Sequence, residues 1–115
     1  MKVGHIELFV RDPLRAKQFY EMVLGFEVTA VQNQQFVWLQ LGHTEILLRP
    51  GTPPAAASTY EKTAVALVLY TDNLPQTLSR LREHNLTCQL MDGDCYTFTD
   101  PDGNWFQLVN PHTHQ

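Results

Sequence analysis

The feature that most constrains this chain is an internal repeat. Shifted by 61 positions, the run 3–10 falls on 64–71, Gly42 on Gly103, and Ile46-Leu47-Leu48-Arg49-Pro50 on Gln107-Leu108-Val109-Asn110-Pro111. A repeat fixes the architecture before any single element is assigned. One residue is missing from the second copy just ahead of its helix, where Asp12 finds its counterpart in Asp72. With 115 residues, the chain has room for one ordinary domain or for two very small units sharing a core.

Each copy reads strand, helix, then three strands. Ile6, Leu8 and Val10 alternate with His5, Glu7 and Phe9, the period of a half-buried strand. Asp12 is placed to cap a helix with Pro13 in its first turn. Phe19, Tyr20, Val23 and Leu24 give that helix an apolar stripe, and Gly25 ends it. Strands follow near 26–32, 35–41 and 44–49. The second copy repeats the order with a strand over 64–71, a helix over 75–84 opened by Pro75, and strands near 86–91, 94–99 and 104–110. The Pro- and Ala-rich stretch within 51–63 reads as a linker. The expected layout is α+β: a first βαβββ module over 1–50, the linker, a second module over 64–111 and a tail over 112–115.

Six Phe, four Tyr, two Trp and an apolar fraction of 43% suffice for a packed interior. Twelve acidic against eight scattered basic residues give a charge of −4, which excludes a nucleic-acid phosphate surface. No apolar run approaches the ~18 residues of a membrane span, and His5 and Glu7 interrupt any apolar leader. With no mark of secretion, Cys88 and Cys95 are expected as free thiols in a cytoplasmic protein.

Gly4-His5-Ile6-Glu7-Leu8-Phe9-Val10-Arg11-Asp12 leads into Phe19-Tyr20-Glu21-Met22-Val23-Leu24-Gly25-Phe26, and the chain closes on Asp100-Pro101-Asp102-Gly103-Asn104 followed by Trp105-Phe106-Gln107-Leu108. With the Leu41-Gly42 turn and the Tyr70-Thr71-Asp72-Asn73-Leu74 entry to the second helix, this order of motifs resembles the vicinal oxygen chelate superfamily, the glyoxalase, bleomycin-resistance and extradiol dioxygenase fold. The resemblance implies paired modules whose mixed sheet curves around a cleft, with helices outside. It also implies a homodimer.

Metal-dependent members of that superfamily hold a divalent ion on four cleft-facing side chains. Carried over residue by residue, those positions fall on His5, Ile46, Ala66 and Gln107. Ile46 and Ala66 have no lone pair to give, so no metal and no cofactor is expected. A register slip of one residue would put Glu45 in place of Ile46, and Glu7 is a further possible ligand. The alternative is therefore a metal-dependent lyase, isomerase, dioxygenase or thiol transferase using His5, Glu45 or Glu7, and Gln107.

Alternation places Ile6, Leu8, Val10, Val37, Leu39, Leu41, Leu47, Val65, Leu67, Leu69, Phe106 and Leu108 under the helices. The opposite face then carries His5, Glu7, Phe9, Phe36, Trp38, Gln40, Thr44, Ile46, Leu48, Ala66, Val68, Tyr70, Trp105, Gln107 and Val109. Of these, His5, Glu7, Phe9, Phe36, Trp38, Gln40, Ile46, Tyr70, Trp105 and Gln107 are the candidate ligand-binding residues. They make an aromatic pocket with a few polar groups, suited to a small organic molecule, aromatic or cationic. His5 is read as a neutral, hydrogen-bonded pocket residue; Glu7 either is solvated at the rim or answers a cationic ligand. His43, His84, His112 and His114 are read as turn, helix-end and tail residues. A metal-independent enzyme with His5 or Glu7 as general base is the least supported reading, because nothing in the sequence orients such a base.

Overall fold

In each half, the first and last strands run parallel, side by side, and the remaining two complete a mixed sheet. A computed structural model describes residues 1–112, so the tail residue His114 lies outside the described residues. In the first half β1 (Ile6–Val10), β2 (Glu27–Gln32), β3 (Phe36–Leu41) and β4 (Thr44–Pro50) order themselves β1-β4-β3-β2. In the second, β5 (Ala66–Tyr70), β6 (Gln89–Asp92), β7 (Cys95–Thr99) and β8 (Trp105–Val109) order themselves β5-β8-β7-β6. Helix α1 (Pro13–Gln18) follows β1, and α2 (Leu74–Glu83) follows β5. The α+β class and the tandem βαβββ order are those read from the repeat. The chain divides into two compact units, Met1–Pro54 and the residues from Ala55 onward.

Helix α1 starts where its cap predicts: the Asp12 carboxylate accepts from Arg15 N at 3.3 Å and Pro13 occupies the first turn. Its end differs from a plain helix running to Gly25. Residues Phe19–Val23 widen into a π-helical turn, with Leu24 N donating to Phe19 O at 3.2 Å. This turn, followed by Gly25 at φ 77°, sets Tyr20 and Phe26 with ring centroids 5.6 Å apart, both buried.

Helix α2 is capped by Asn73, whose side chain accepts from Gln76 N at 3.1 Å. The cap is thus not Asp72, and the 61-residue shift that carries Asp12 onto Asn73 holds through the helix start. The two copies fall out of step further on. In the first sheet Leu39 pairs with Ile46, and in the second Phe98 pairs with Phe106, one residue more for the second turn. Gly42 and Gly103 are therefore not equivalent anchors for the strands after them.

That offset reverses the expected phase of β4. Ile46 pairs with Ile6 and Leu48 with Leu8 across the parallel ladder, while Val37 and Leu39 oppose them from β3. Partners directly opposite share a sheet face. Ile46 (2% exposed) and Leu48 (0%) consequently pack in the α1-side core with Val10, Val37 and Leu39; Thr44 has the same phase but is exposed. The candidate assignment of Ile46 to the ligand face is overturned. Leu47, expected under the helix, lies on the opposite face with Glu45 and Arg49.

In the second unit the expected phase holds. Leu67, Leu69, Phe98, Phe106 and Leu108 share one face, with Phe98 and Phe106 stacked at 5.2 Å. The Asp100 turn closes the sheet: its carboxylate accepts from the backbone N–H groups of Asp102 and Asn104 and from the Asn104 amide, at 2.8–2.9 Å. Gly103 (φ 91°) lies against Ala56, where a Cβ would come within 2.4 Å of the alanine's own.

Candidate functional site

The first sheet's face away from α1 carries a continuous chain of polar and aromatic contacts. Three cross-strand rows build it. Glu45, Gln40 and Glu27 form the row at the β3–β4 turn end. Glu7, Leu47, Trp38 and Ala30 make the middle one, and Phe9, Arg49, Phe36 and Gln32 the third. His5 stands just before β1, on the side of Glu7 and Phe9 by alternation.

The contacts run across these rows. His5 Nε2 lies 2.7 Å from Glu7 Oε2, and Arg49 donates from Nη1 to Glu7 Oε1 at 3.1 Å. The hydrogen bond with His5, and then that with Arg49, hold the Glu7 carboxyl below the usual carboxylate range against a smaller opposing effect of desolvation. The His5 ring meets Trp38 edge-on at 4.8 Å, and the Arg49 guanidinium lies over Phe36, 5.5 Å from its centroid. Trp38 Nε1 donates to Gln32 Oε1 at 3.2 Å, so the indole offers a ligand its face rather than its N–H. Leu47 is buried in the middle of this ring of contacts (6% exposed), and Phe9, seated on Gly51, is half exposed.

The second sheet's corresponding face carries Ala66, Val68, Tyr70, Thr97, Trp105, Gln107 and Val109. Residues of the 51–63 linker stretch pack on it. Trp105 Nε1 donates to Ala57 O at 3.0 Å, Tyr60 meets the Trp105 ring edge-on at 6.0 Å, and Gln107 Nε2 reaches Tyr60 Oη at 3.5 Å. Tyr70 stands largely exposed on the edge strand β5.

Of the candidate residues, His5, Glu7, Phe9, Phe36, Trp38 and Gln40 thus share one face of the first unit. Tyr70, Trp105 and Gln107 share one face of the second, and Ile46 belongs to neither. Three residues were missed. Arg49 and Leu47 were misplaced with the phase of β4, although the polar pair Glu45 and Arg49, alternating against Ile46 and Leu48, carried the signal. Tyr60 lies in a short 3-10 turn (Tyr60–Lys62) inside the presumed linker, and no periodicity marks it.

Donors of metal-ligand type on the first face are His5, Glu7, Glu27 and Glu45. The first two are bonded to each other, and the structural counterpart of Gln107 in the first sheet is Leu47, not a donor. Among the described residues no group of three or more His, Cys, Asp or Glu side chains is placed to hold a metal ion.

A sequence model of the Glyoxalase/Bleomycin resistance protein/Dioxygenase superfamily matches residues 2–108. The chain belongs to this superfamily. Among curated proteins none matches the sequence. Solved structures of the superfamily's fold superpose over nearly the whole chain. Lactoylglutathione lyase from Agrobacterium tumefaciens is 19% identical with a TM-score of 0.71, covering 96% of this chain and 93% of that one. UcmS2 is 27% identical with a TM-score of 0.71, covering 96% and 98%. TnmS3, an antibiotic binding protein from Streptomyces sp. CB03234, is 24% identical, again with a TM-score of 0.71 and coverages of 96% and 98%. No helix among the described residues is long and apolar enough to cross a membrane.

Proposed function

We propose that this superfamily member binds a small planar organic molecule, drug or metabolite, on the aromatic face of its first sheet, without a resident metal. One observation carries the reading: Trp38, His5, Glu7, Arg49 and Phe36 form a connected set that holds aromatic surface and polar groups in fixed positions beside the half-exposed Phe9. Pre-positioned rings with a few polar groups are what a small-molecule site requires. TnmS3 is described as an antibiotic binding protein, which agrees with this reading, but at 24% identity its likeness is one of fold.

The donor set argues against a retained divalent ion. On the first face His5 is engaged by Glu7 and Leu47 is no donor, and on the second face Ala66 and neutral Gln107 bring no charged ligand. A metal-dependent enzyme is the second reading, and the corrected phase of β4 favours it in one respect, by putting Glu45 on the face of Glu7. We further propose a cytoplasmic homodimer, since β1, β2, β5 and β6 are edge strands that pairing would cover.

The test is a titration of chelator-treated protein with planar aromatic compounds of different charge, following tryptophan emission and melting temperature. Quenching with a concentration-dependent rise in melting temperature is expected for at least one of them. No response to any would refute the binding reading. Stoichiometric Ni, Zn, Fe or Mn in untagged protein, lost on His5→Ala, would replace it with the enzyme.

A further inference from the structure

We infer that the ligand is a planar aromatic carboxylate, selected by Arg49; the inference rests on the proposed binding face and names its ligand class. The polar capacity left on that face decides the sign of the charge. Both oxygens of Glu7 are engaged, Oε1 by Arg49 and Oε2 by His5. A cationic ligand would have to share with Arg49 and His5 the one carboxylate in the middle and third rows, whose charge Arg49 already offsets. Arg49, by contrast, uses one N–H on Glu7 and holds its guanidinium carbon over the Phe36 ring, and its other N–H groups meet no protein acceptor among the described residues.

A guanidinium held by Glu7 through one N–H and by the Phe36 ring keeps further N–H groups of its planar fork for a ligand, the geometry a carboxylate matches in bidentate fashion. Its side chain is 42% exposed, enough to receive a ligand group. Phe9 and Phe36 share its row and Trp38 the next, so a flat ring attached to that carboxylate would lie on aromatic surface. The other acids on the face, Glu27 and Glu45, stand four residues along the strands from the Arg49 row. At a rise of ~3.3 Å per residue this is about 13 Å, beyond the ~8 Å Debye length at physiological salt. Their repulsion is largely screened, so beside the nearly neutral Arg49–Glu7 pair it is the unused N–H groups of Arg49 that draw an anion.

Three probes with one ring system test this: naphthoate, naphthylmethanol and naphthylmethylammonium. Each is titrated against wild-type protein, Arg49→Gln and Arg49→Lys by tryptophan emission, with the fold of each variant checked by its melting curve. Wild type should bind naphthoate about threefold to tenfold more tightly than the alcohol, and the ammonium no better than the alcohol. Arg49→Gln should lose that margin, binding naphthoate and the alcohol about equally, and Arg49→Lys should keep only part of it.

Equal affinities for all three, or preference for the ammonium, would overturn the role of Arg49 and leave ring binding standing. A loss of alcohol binding in folded Arg49→Gln would make Arg49 a support for Phe36, again overturning the inference. Failure of all three probes to bind would remove the binding face and this inference together.

Discussion

Ile46 and Ile6 sit opposite each other across the parallel β1–β4 ladder, on the face that packs toward α1, and this single pairing determines which side chains of β4 reach the ligand face. Because Ile46 is 2% exposed, Ile46→Ala should cost about 2–5 kcal/mol of unfolding free energy. Glu45→Ala, on the exposed side, should stay within about 0.5 kcal/mol. Urea midpoints of the two variants measure this directly. A costly Glu45→Ala beside a neutral Ile46→Ala would restore the opposite phase.

Glu7 supplies a pH prediction. Its folded-state pKa is lowered by His5 and Arg49, so its contribution to stability is present above the ordinary carboxylate value of 4.5 and is lost as pH falls through the folded value. Glu7→Gln should therefore melt below wild type at pH 7, and the gap should close in acid below pH 4.5. A gap that stays constant from pH 7 down into strong acid would show that the carboxylate's charge contributes nothing.

Burial pushes the Cys88 thiol up to about 11, partly offset by Arg82, and pushes Cys95 up as well, with Asp92 and Asp94 adding to the effect. From an ordinary 9.0, such a shift for Cys88 leaves about a hundredfold less thiolate at pH 8. Native protein should react with a disulfide-exchange reagent at least that much more slowly than unfolded protein. Matching rates in the two states would contradict the burial.

The contact of Gly103 with Ala56 ties the linker stretch to the turn before β8. Gly103→Ala combines a positive φ with a clash at 2.4 Å, and should cost about 2 kcal/mol or more. In an Ala56→Gly background the cost should fall but not vanish, since the backbone strain remains. A fully additive double mutant would mean that the two residues do not touch.

The order of elements was legible because alternation, caps and turn residues agree within each copy: Asp12 before Pro13, Pro75 opening the second helix, and the Asp100 turn before β8. The phase of β4 was not. Ile46, Leu47 and Leu48 are apolar on both faces, so alternation is silent there, and the Gly42 anchor miscounts a turn one residue shorter than its partner. The π turn was equally hidden, since Phe19, Tyr20, Val23 and Leu24 give the same stripe with or without an extra residue. Half of the first site face followed from β1 and β3, whose periods are clean. Arg49 and Tyr60 are defined by contacts 42 and 47 residues away in sequence, a separation that local pattern does not register.

The most direct measurement is the Trp38 indole N–H resonance in a 15N-labelled sample, followed as naphthoate is added. Seating a ring on the first sheet's aromatic face predicts a saturable shift of that resonance, with the same apparent affinity as the emission change. A ligand that raises the melting temperature while the Trp38 indole stays unmoved at saturation would contradict the assignment of the site.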